Sequence, residues 1–465
     1  MILAFCIILT AIAIIGLSSA RQSKSNEKDY YLASQSLSPW LAGLSAMATN
    51  NSGYMFIGLI GFTYSVGLSS IWLMVGWILG DFIVSKFIHK KINEQSQGAK
   101  VTTFAAMLGH WSGLGQSLIR FVALLSFIFL LIYASAQLVS GGKTLAVIFD
   151  WQLWSGIILG ATIVILYTIA GGIRASIWTD AVQGIIMVFA MLILVVAALV
   201  SIGGINSAID KWELIDGYLN VYPESVSNHN VLKILYPMSW LAAGMFVIGQ
   251  PHIMVRFMAI KSEKLIDQAR YHYYFWYVCF YSLAFLIGML SRIYIDQKST
   301  FDVELALPFM AIDLLPSVAV GVIIAGIFAA TMSTADSLII NCSGNITQDL
   351  FGKKRFNSRQ IKIITLCIAL IVLLISLLNN ASVFSIVVFA WTLLGISFTP
   401  ILILLATGFR VRFNIFLAGI SLAIGGYMVC EFFELNQTLY SGFLPFLLNL
   451  AFLFFAREKQ NKSLN

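Results

Sequence analysis

Three observations predict an all-α polytopic membrane protein of about thirteen transmembrane helices. Apolar runs of about 18 residues or more recur from one end of the 465-residue chain to the other. Only 11% of the residues are charged and 59% are hydrophobic, whereas soluble domains are roughly a quarter charged. The apolar runs also lack the period-two alternation, in segments of about ten residues, that a transmembrane β-barrel requires.

The spans are expected at 2–20, 37–64, 67–88, 117–145, 154–173, 176–202, 235–255, 271–293, 316–343, 361–379, 382–406, 413–431 and 438–456. No basic residue precedes the first run, and charges follow it at Arg21 and Lys24. It therefore reads as a first span rather than as a signal peptide. An odd number of spans puts the termini on opposite sides. With these spans, 23 of the 28 Lys and Arg residues fall on one set of sides. The positive-inside rule then places the N-terminus outside and the C-terminus in the cytoplasm, as expected for a bacterial-type plasma (inner) membrane. The basic residues are scattered through short loops, which argues against nucleic acid as a partner. The outer loop 203–234 is polar and long enough for a surface helix. The tail after Ala456 has no room for a catalytic or signalling domain. All five cysteines lie in apolar segments without metal-type spacing, so they read as buried packing residues. No Ser-His-Asp arrangement, metal motif or phosphate loop is present, so an enzyme is not expected.

Charged groups at the bilayer centre cost at least about 2.5–3.5 kcal/mol, which makes polar constellations inside spans functional candidates. "ATNNSG", Ala48–Gly53, strings poor helix formers together within the second span. One reading is an unwound helix whose freed carbonyls line a cavity and coordinate a cation. The other is a kinked helix packed through small polar residues. "ATMSTADS", Ala330–Ser337, sits mid-span. Ala330, Ser333, Thr334 and Ser337 share one helix face, and Thr331 lies beside Thr334. Hydroxyl oxygens suit an alkali or hard divalent cation, yet the same pattern also serves small-residue packing with bonds back to the previous turn. Asp180, in "GGIRASIWTDAVQ", reads as an early-helix carboxylate, as a partner of Arg174 or as an ion-coupling group. Asp81 is placed at an interface. Asp336 borders the polar face without a role. In "GQPHIMVRFMA", Gly249–Ala259, Pro251 breaks or kinks a helix where the span meets the cytoplasm, and His252 reads as a hydrogen-bonded structural residue.

These motifs, in this order and with "DYYLASQSLSPW" ahead of them, resemble the sodium/solute symporter family. "GQPHIMVRFMA", "YASAQLVSGGKTL" and "AWTLLGISFTP" are most similar to its sodium/proline branch, and the resemblance spans about residues 1–456. It implies a core of two inverted five-helix repeats, each opening with a broken helix and holding the solute between them. The expected divisions are an extra span with cytoplasmic linker (1–36), the first repeat (37–202), an outer loop (203–234), the second repeat (235–406), and two further spans with a short tail (407–465).

For sodium, the resemblance implies the backbone carbonyls of Ala48, Asn51 and Ala330 with the hydroxyls of Ser333 and Thr334. Some members hold an additional sodium, which here implies Asp180 with Thr331 and Ser333 or Thr334. By position the solute cavity is lined by Asn50, Ser52, Tyr54, Tyr133, Gln137, Ala243, Phe246, Val247 and Trp391. Proline-transporting members carry aspartate at Asn50, tryptophan at Tyr54, and tryptophan and tyrosine at Ala243 and Val247. Their "GGRSL" is "ASQSL" here, with Gln35 in place of arginine. The activity expected is sodium-driven import, by alternating access, of a small polar organic solute: an amino acid such as proline, a sugar, sialic acid or a carboxylate. The alternative is a proton-coupled permease of the same fold using Asp180. Sodium, the solute and the lipid bilayer are the only partners expected, with no obligate protein partner.

Overall fold

The computed structural model describes residues 1–20, 26–295, 301–351, 356–378, 382–435 and 439–459. Arg21, Lys24 and the expected span limits 379 and 438 lie outside the described residues. In chain order the helices are α1 (Ile2–Ala20), α2 (Glu27–Leu32), α3 (Pro39–Asn50), α4 (Ile60–Val66), α5 (Ile71–Gly98), α6 (Phe104–Ser112), α7 (Gly115–Phe149), α8 (Leu153–Ile202), α9 (Ile205–Glu213), α10 (Glu224–Ser227), α11 (Asn230–Met245), α12 (Pro251–Met258), α13 (Ile266–Tyr294), α14 (Ala306–Leu314), α15 (Ser317–Gly344), α16 (Ser358–Leu378), α17 (Val383–Ala406), α18 (Phe413–Phe432) and α19 (Phe443–Phe455). Two-residue strands, β1 (Phe409–Arg410) and β2 (Glu458–Lys459), pair antiparallel near the C-terminus. Among the described residues, nine helical segments are long and apolar enough to cross a membrane, and three shorter apolar helices accompany them. The loop expected to accommodate a surface helix carries α9 and α10.

Three interruptions shape the fold. The first divides the second expected span. α3 ends at Asn50, Asn51 leaves helical geometry (φ −85°, ψ 64°), and π-helical turns over Met55–Leu59 lead into α4. Glycine is required at position 53, where a Cβ would lie 2.5 Å from both Ser140 Oγ and Thr331 Cγ2. The second interruption follows α11. A 3₁₀ turn over Phe246–Gly249 and extended Gln250 (φ −96°, ψ 102°) precede α12, which starts on Pro251. Proline favours this place because its missing N–H is not needed at a helix start. The third is Gly172 (φ 57°, ψ −147°), which splits α8 at the boundary expected between two spans.

α15 is the central helix. It packs against α1, α7, α8 and α3, and 83% of its apolar window is buried, against 33% for α16 and α18. That burial explains its small residues, which let four helices approach closely. Ala330–Ser337 lies in the middle of this buried stretch.

Candidate functional site

The broken α3–α4 segment and α15 meet at the two motifs expected to form a cation cage. Ser333 Oγ donates to Ala330 O at 3.0 Å and reaches Ala48 O at 3.3 Å. Thr334 Oγ1 donates to Thr49 O at 3.1 Å. Both hydroxyls are fully buried. Ala48, Ala330, Ser333 and Thr334 are thus together. The Thr49 carbonyl, which accepts from Thr334, lies with them. Such hard, neutral oxygens are the chemistry a sodium ion requires. A cation entering here would replace hydroxyl-to-carbonyl bonds with ion contacts and would pin the broken helix to α15.

Below the cage lies a cluster that sequence reasoning saw only in part. Asp180 Oδ2 accepts from Ser45 Oγ at 2.7 Å, Thr49 Oγ1 at 3.3 Å and the Arg256 guanidinium at 3.2 Å. Asp336 Oδ1 accepts from Ser176 Oγ at 3.0 Å and Ser337 Oγ at 2.9 Å. Arg256 also binds Ser176 Oγ at 3.2 Å and contacts Ser337 Oγ and His252 O. Asp180, Arg256 and Asp336 are all fully buried. Thr49 links the two levels, with its carbonyl on Thr334 and its hydroxyl on Asp180.

Several expectations are corrected here. Arg174 does not meet Asp180; it pairs with Asp29 at 2.6 Å. Asp180 is not an early-helix group but lies well past the Gly172 break. Arg256 is no cytoplasmic loop charge: the break before Pro251 turns α12 inward and buries it. The Thr331 hydroxyl donates to Phe328 O at 2.8 Å and approaches the Gly141 backbone. Asp336 is central to the cluster. His252 is buried with neither ring nitrogen bonded among the described residues, and its ring meets Tyr133 edge-on at 5.4 Å.

At the break, Gln137 Oε1 accepts from the Gly53 N–H at 2.9 Å, and Ser52 Oγ lies 3.3 Å from Tyr133 Oη. Asn50 Nδ2 donates to Tyr273 Oη at 2.6 Å. Trp391 Nε1 donates to Ala243 O at 3.0 Å, and Trp391 packs on Trp77. Tyr54 stacks on Phe384 at 5.3 Å and lies 5.9 Å from Trp77. Val247 is buried nearby in the 3₁₀ turn. Phe246 packs on Tyr440, Phe446 and the Gly395 backbone. Buried polar atoms without a partner among the described residues gather here: Asn51 Nδ2 and Oδ1, Tyr54 Oη, Gln137 Nε2 and Ser140 Oγ. Such groups cost about 1–3 kcal/mol each until something satisfies them.

Sequence reasoning missed Asp81, Arg256, Trp77, Phe384 and the tyrosines of α13. For two of them a signal was available. Asp81 and Arg256 each interrupt an apolar run that continues on both sides, "WILGDFIV" and "IMVRFMA".

A helical membrane protein whose central helix presents hydroxyls to the carbonyls of a broken helix is a secondary transporter in architecture. The chain belongs to the Sodium:solute symporter family, which it matches over residues 30–419. The chain is 28% identical to the sodium/proline symporter of Escherichia coli (strain K12) over 444 residues, 90% of this chain and 85% of that protein. The chain is 29% identical to sodium/proline symporter 2 of Staphylococcus saprophyticus over 411 residues, covering 85% and 79% of the two chains. In three dimensions it resembles a Na+-coupled sialic acid symporter in a substrate-bound outward-open state. That likeness has a TM-score of 0.82 at 18% identity over 98% of each chain. A nucleobase-cation-symport-1 family transporter superposes with a TM-score of 0.58 at 14% identity, over 93% and 95% of the two chains. The protein is thus an integral membrane symporter, not an enzyme, and it couples sodium to the movement of a small solute.

Proposed function

We propose that the chain imports a small polar organic solute, an amino acid such as proline, a sugar, sialic acid or a carboxylate, by alternating access. Sodium binds the hydroxyls of Ser333 and Thr334 and the carbonyls of Ala48, Thr49 and Ala330. The solute sits above Asn50, Ser52 and Gly53, between Tyr54, Tyr133, Gln137, Trp391 and the Ala243–Val247 turn. The N-terminus is outside and the C-terminus cytoplasmic. The observation that carries this reading is the meeting of the α15 hydroxyls with the carbonyls that end α3. Filling the cage stabilises one shape of the break, and the solute contacts hang on that break through Gly53 and Ser52. Release of sodium to the cytoplasm frees the break and, with it, the solute. The fixed Asp180–Arg256 ion pair argues for sodium over a proton carried on Asp180.

The test is uptake into proteoliposomes, with and without a sodium gradient, using labelled proline, glucose, sialic acid and a short carboxylate in competition. One of these solutes is expected to accumulate only with the gradient. Tyr54→Ala or Gln137→Ala is expected to weaken its apparent affinity. Unchanged affinity in both variants overturns the cavity assignment.

A further inference from the structure

Asp81 lies in α5 and is fully buried. Its two oxygens accept separately. Oδ2 takes the Tyr273 hydroxyl at 2.5 Å and Oδ1 takes the Tyr274 hydroxyl at 2.8 Å. The nearest guanidinium, Arg270, instead spreads over the rings of Phe82 and Tyr274 and bonds Phe82 O and Ser85 Oγ. Tyr273 and Tyr274 also shield the carboxylate, with Tyr277 stacked on Tyr273 at 5.1 Å.

While Asp81 is ionised it can only accept, and Tyr273 then spends its one proton on it. The Tyr273 oxygen can then only accept from its other neighbour, the side chain of Asn50. That neighbour must offer its NH₂, and Asn50 Nδ2 does so at 2.6 Å. The amide is thereby oriented, with its carbonyl oxygen turned off the Tyr273 hydroxyl. No described residue donates to that oxygen, and Asn50 keeps 7% exposure where Asn51 and Ser52 have none. A hydrogen-bond chain in a dry interior transmits such polarity better than one in water.

We propose that Asp81 is a positioning residue which, through the Tyr273 hydroxyl, holds the Asn50 carbonyl oxygen toward the solute, so that the site selects a solute carrying an N–H or O–H donor at that end. This inference rests on the reading of Asn50 as part of the solute cavity. It makes Asp81 a determinant of specificity without any contact with the solute. It also explains a constraint on position 50. An aspartate there would compete with Asp81 for the single Tyr273 proton and leave one buried carboxylate without its donor.

The experiment is sodium-dependent binding to the full-length protein, followed by thermal stabilisation, with matched probes that differ in donors. The pairs are L-proline against N,N-dimethyl-L-proline, and glucose against fully O-methylated glucose. The donor-bearing member of the pair that binds is expected to bind at least about tenfold tighter, as follows from leaving a buried acceptor unpaired. Asp81→Asn and Tyr273→Phe each free the amide to turn, so each should shrink that preference toward unity. The double variant should go no further. General damage would weaken both members of a pair alike, and sodium affinity read from intrinsic tryptophan fluorescence reports whether each variant is folded. Asn50→Asp is expected to impair binding alone and to be rescued by Asp81→Asn. Equal binding within the pair by the natural chain, or an unchanged preference in both single variants, overturns the relay while leaving the cavity reading standing. Absence of sodium-dependent binding by every probe overturns the cavity reading, and the relay with it.

Discussion

At the scale of single residues, function rests on where a few oxygens are aimed. Ser333 and Thr334 each bond a carbonyl of the broken segment; in the proposed cage these hydroxyls turn to the cation, so removing both should leave it open at one side. Each lost bond is worth about 0.5–1.5 kcal/mol, so Ser333→Ala with Thr334→Ala should raise the sodium concentration for half-maximal uptake by about 5- to 150-fold. Sodium-titrated uptake in proteoliposomes checks this, and full sodium dependence in the double variant would remove these residues from the site. Arg256 is a different case. It is the guanidinium bonded to Asp180 and lies against the serines that hold Asp336. Arg256→Ala leaves buried charge uncompensated, and breaking a buried pair in this way costs about 3–5 kcal/mol. The expected outcome is a large fall in melting temperature, partly recovered by combining Arg256→Ala with Asp180→Asn. Arg256→Lys should not restore the natural stability, because an ammonium cannot reproduce the planar fork that reaches Ser45, Ser176, Asp180 and Ser337 together.

At the scale of elements, the breaks were more legible than their consequences. "ATNNSG" announces its own interruption because each residue is a poor helix former, and Gly249 with Pro251 marks the second. What the sequence could not convey is the direction the chain takes after a break. Arg256 follows Pro251 at an expected span end, where any cation counts as a loop charge; only the inward turn of α12 buries it. Asp81 is a similar case, because proximity to a span end does not reveal that its neighbours bury it completely. The linker after α2 is a third case. Ala33, Ser34 and Gln35 all adopt left-handed backbone, with φ of 47°, 57° and 53°. The turn is held by Arg174, which binds both Asp29 and Ala33 O, and by Ser34 Oγ on Asp29 at 2.7 Å. Left-handed backbone costs a residue with a Cβ about 1–2 kcal/mol, while the Gln35 amide gains only two bonds at 3.4 Å. Gln35→Gly is therefore expected to raise stability by about 1 kcal/mol, read as a higher melting temperature of the purified protein. A fall would mean that the two long bonds outweigh the strain.

At the scale of the whole molecule, the proposed ion cage and the proposed solute cavity share one piece of backbone. The carbonyls of Ala48 and Thr49 accept from the α15 hydroxyls, and Asn50, Ser52 and Gly53, proposed to begin the cavity, follow a few residues later. The cluster beneath already holds a cation of its own, because Arg256 sits on Asp180. Thr331, the hydroxyl assigned to an additional ion, is turned to Phe328 O. One sodium per cycle is the stoichiometry this arrangement favours. The consequence can be measured without knowing any residue's role. One elementary charge crossing 100 mV carries about 2.3 kcal/mol, which multiplies the accumulation of an electroneutral solute by about 50 at about 1.4 kcal/mol per tenfold. Proteoliposomes clamped by a potassium diffusion potential, with equal sodium on both sides, isolate this electrical component. Accumulation rising about 50-fold per 100 mV of inside-negative potential fits one sodium. A rise of roughly the square of that, about 2,000-fold, requires a second charge to move and would place another ion in the described cluster. No response to voltage would mean that the sodium charge is balanced by a counter-movement, and Asp180, Arg256 and Asp336 are among the buried charges that could supply it.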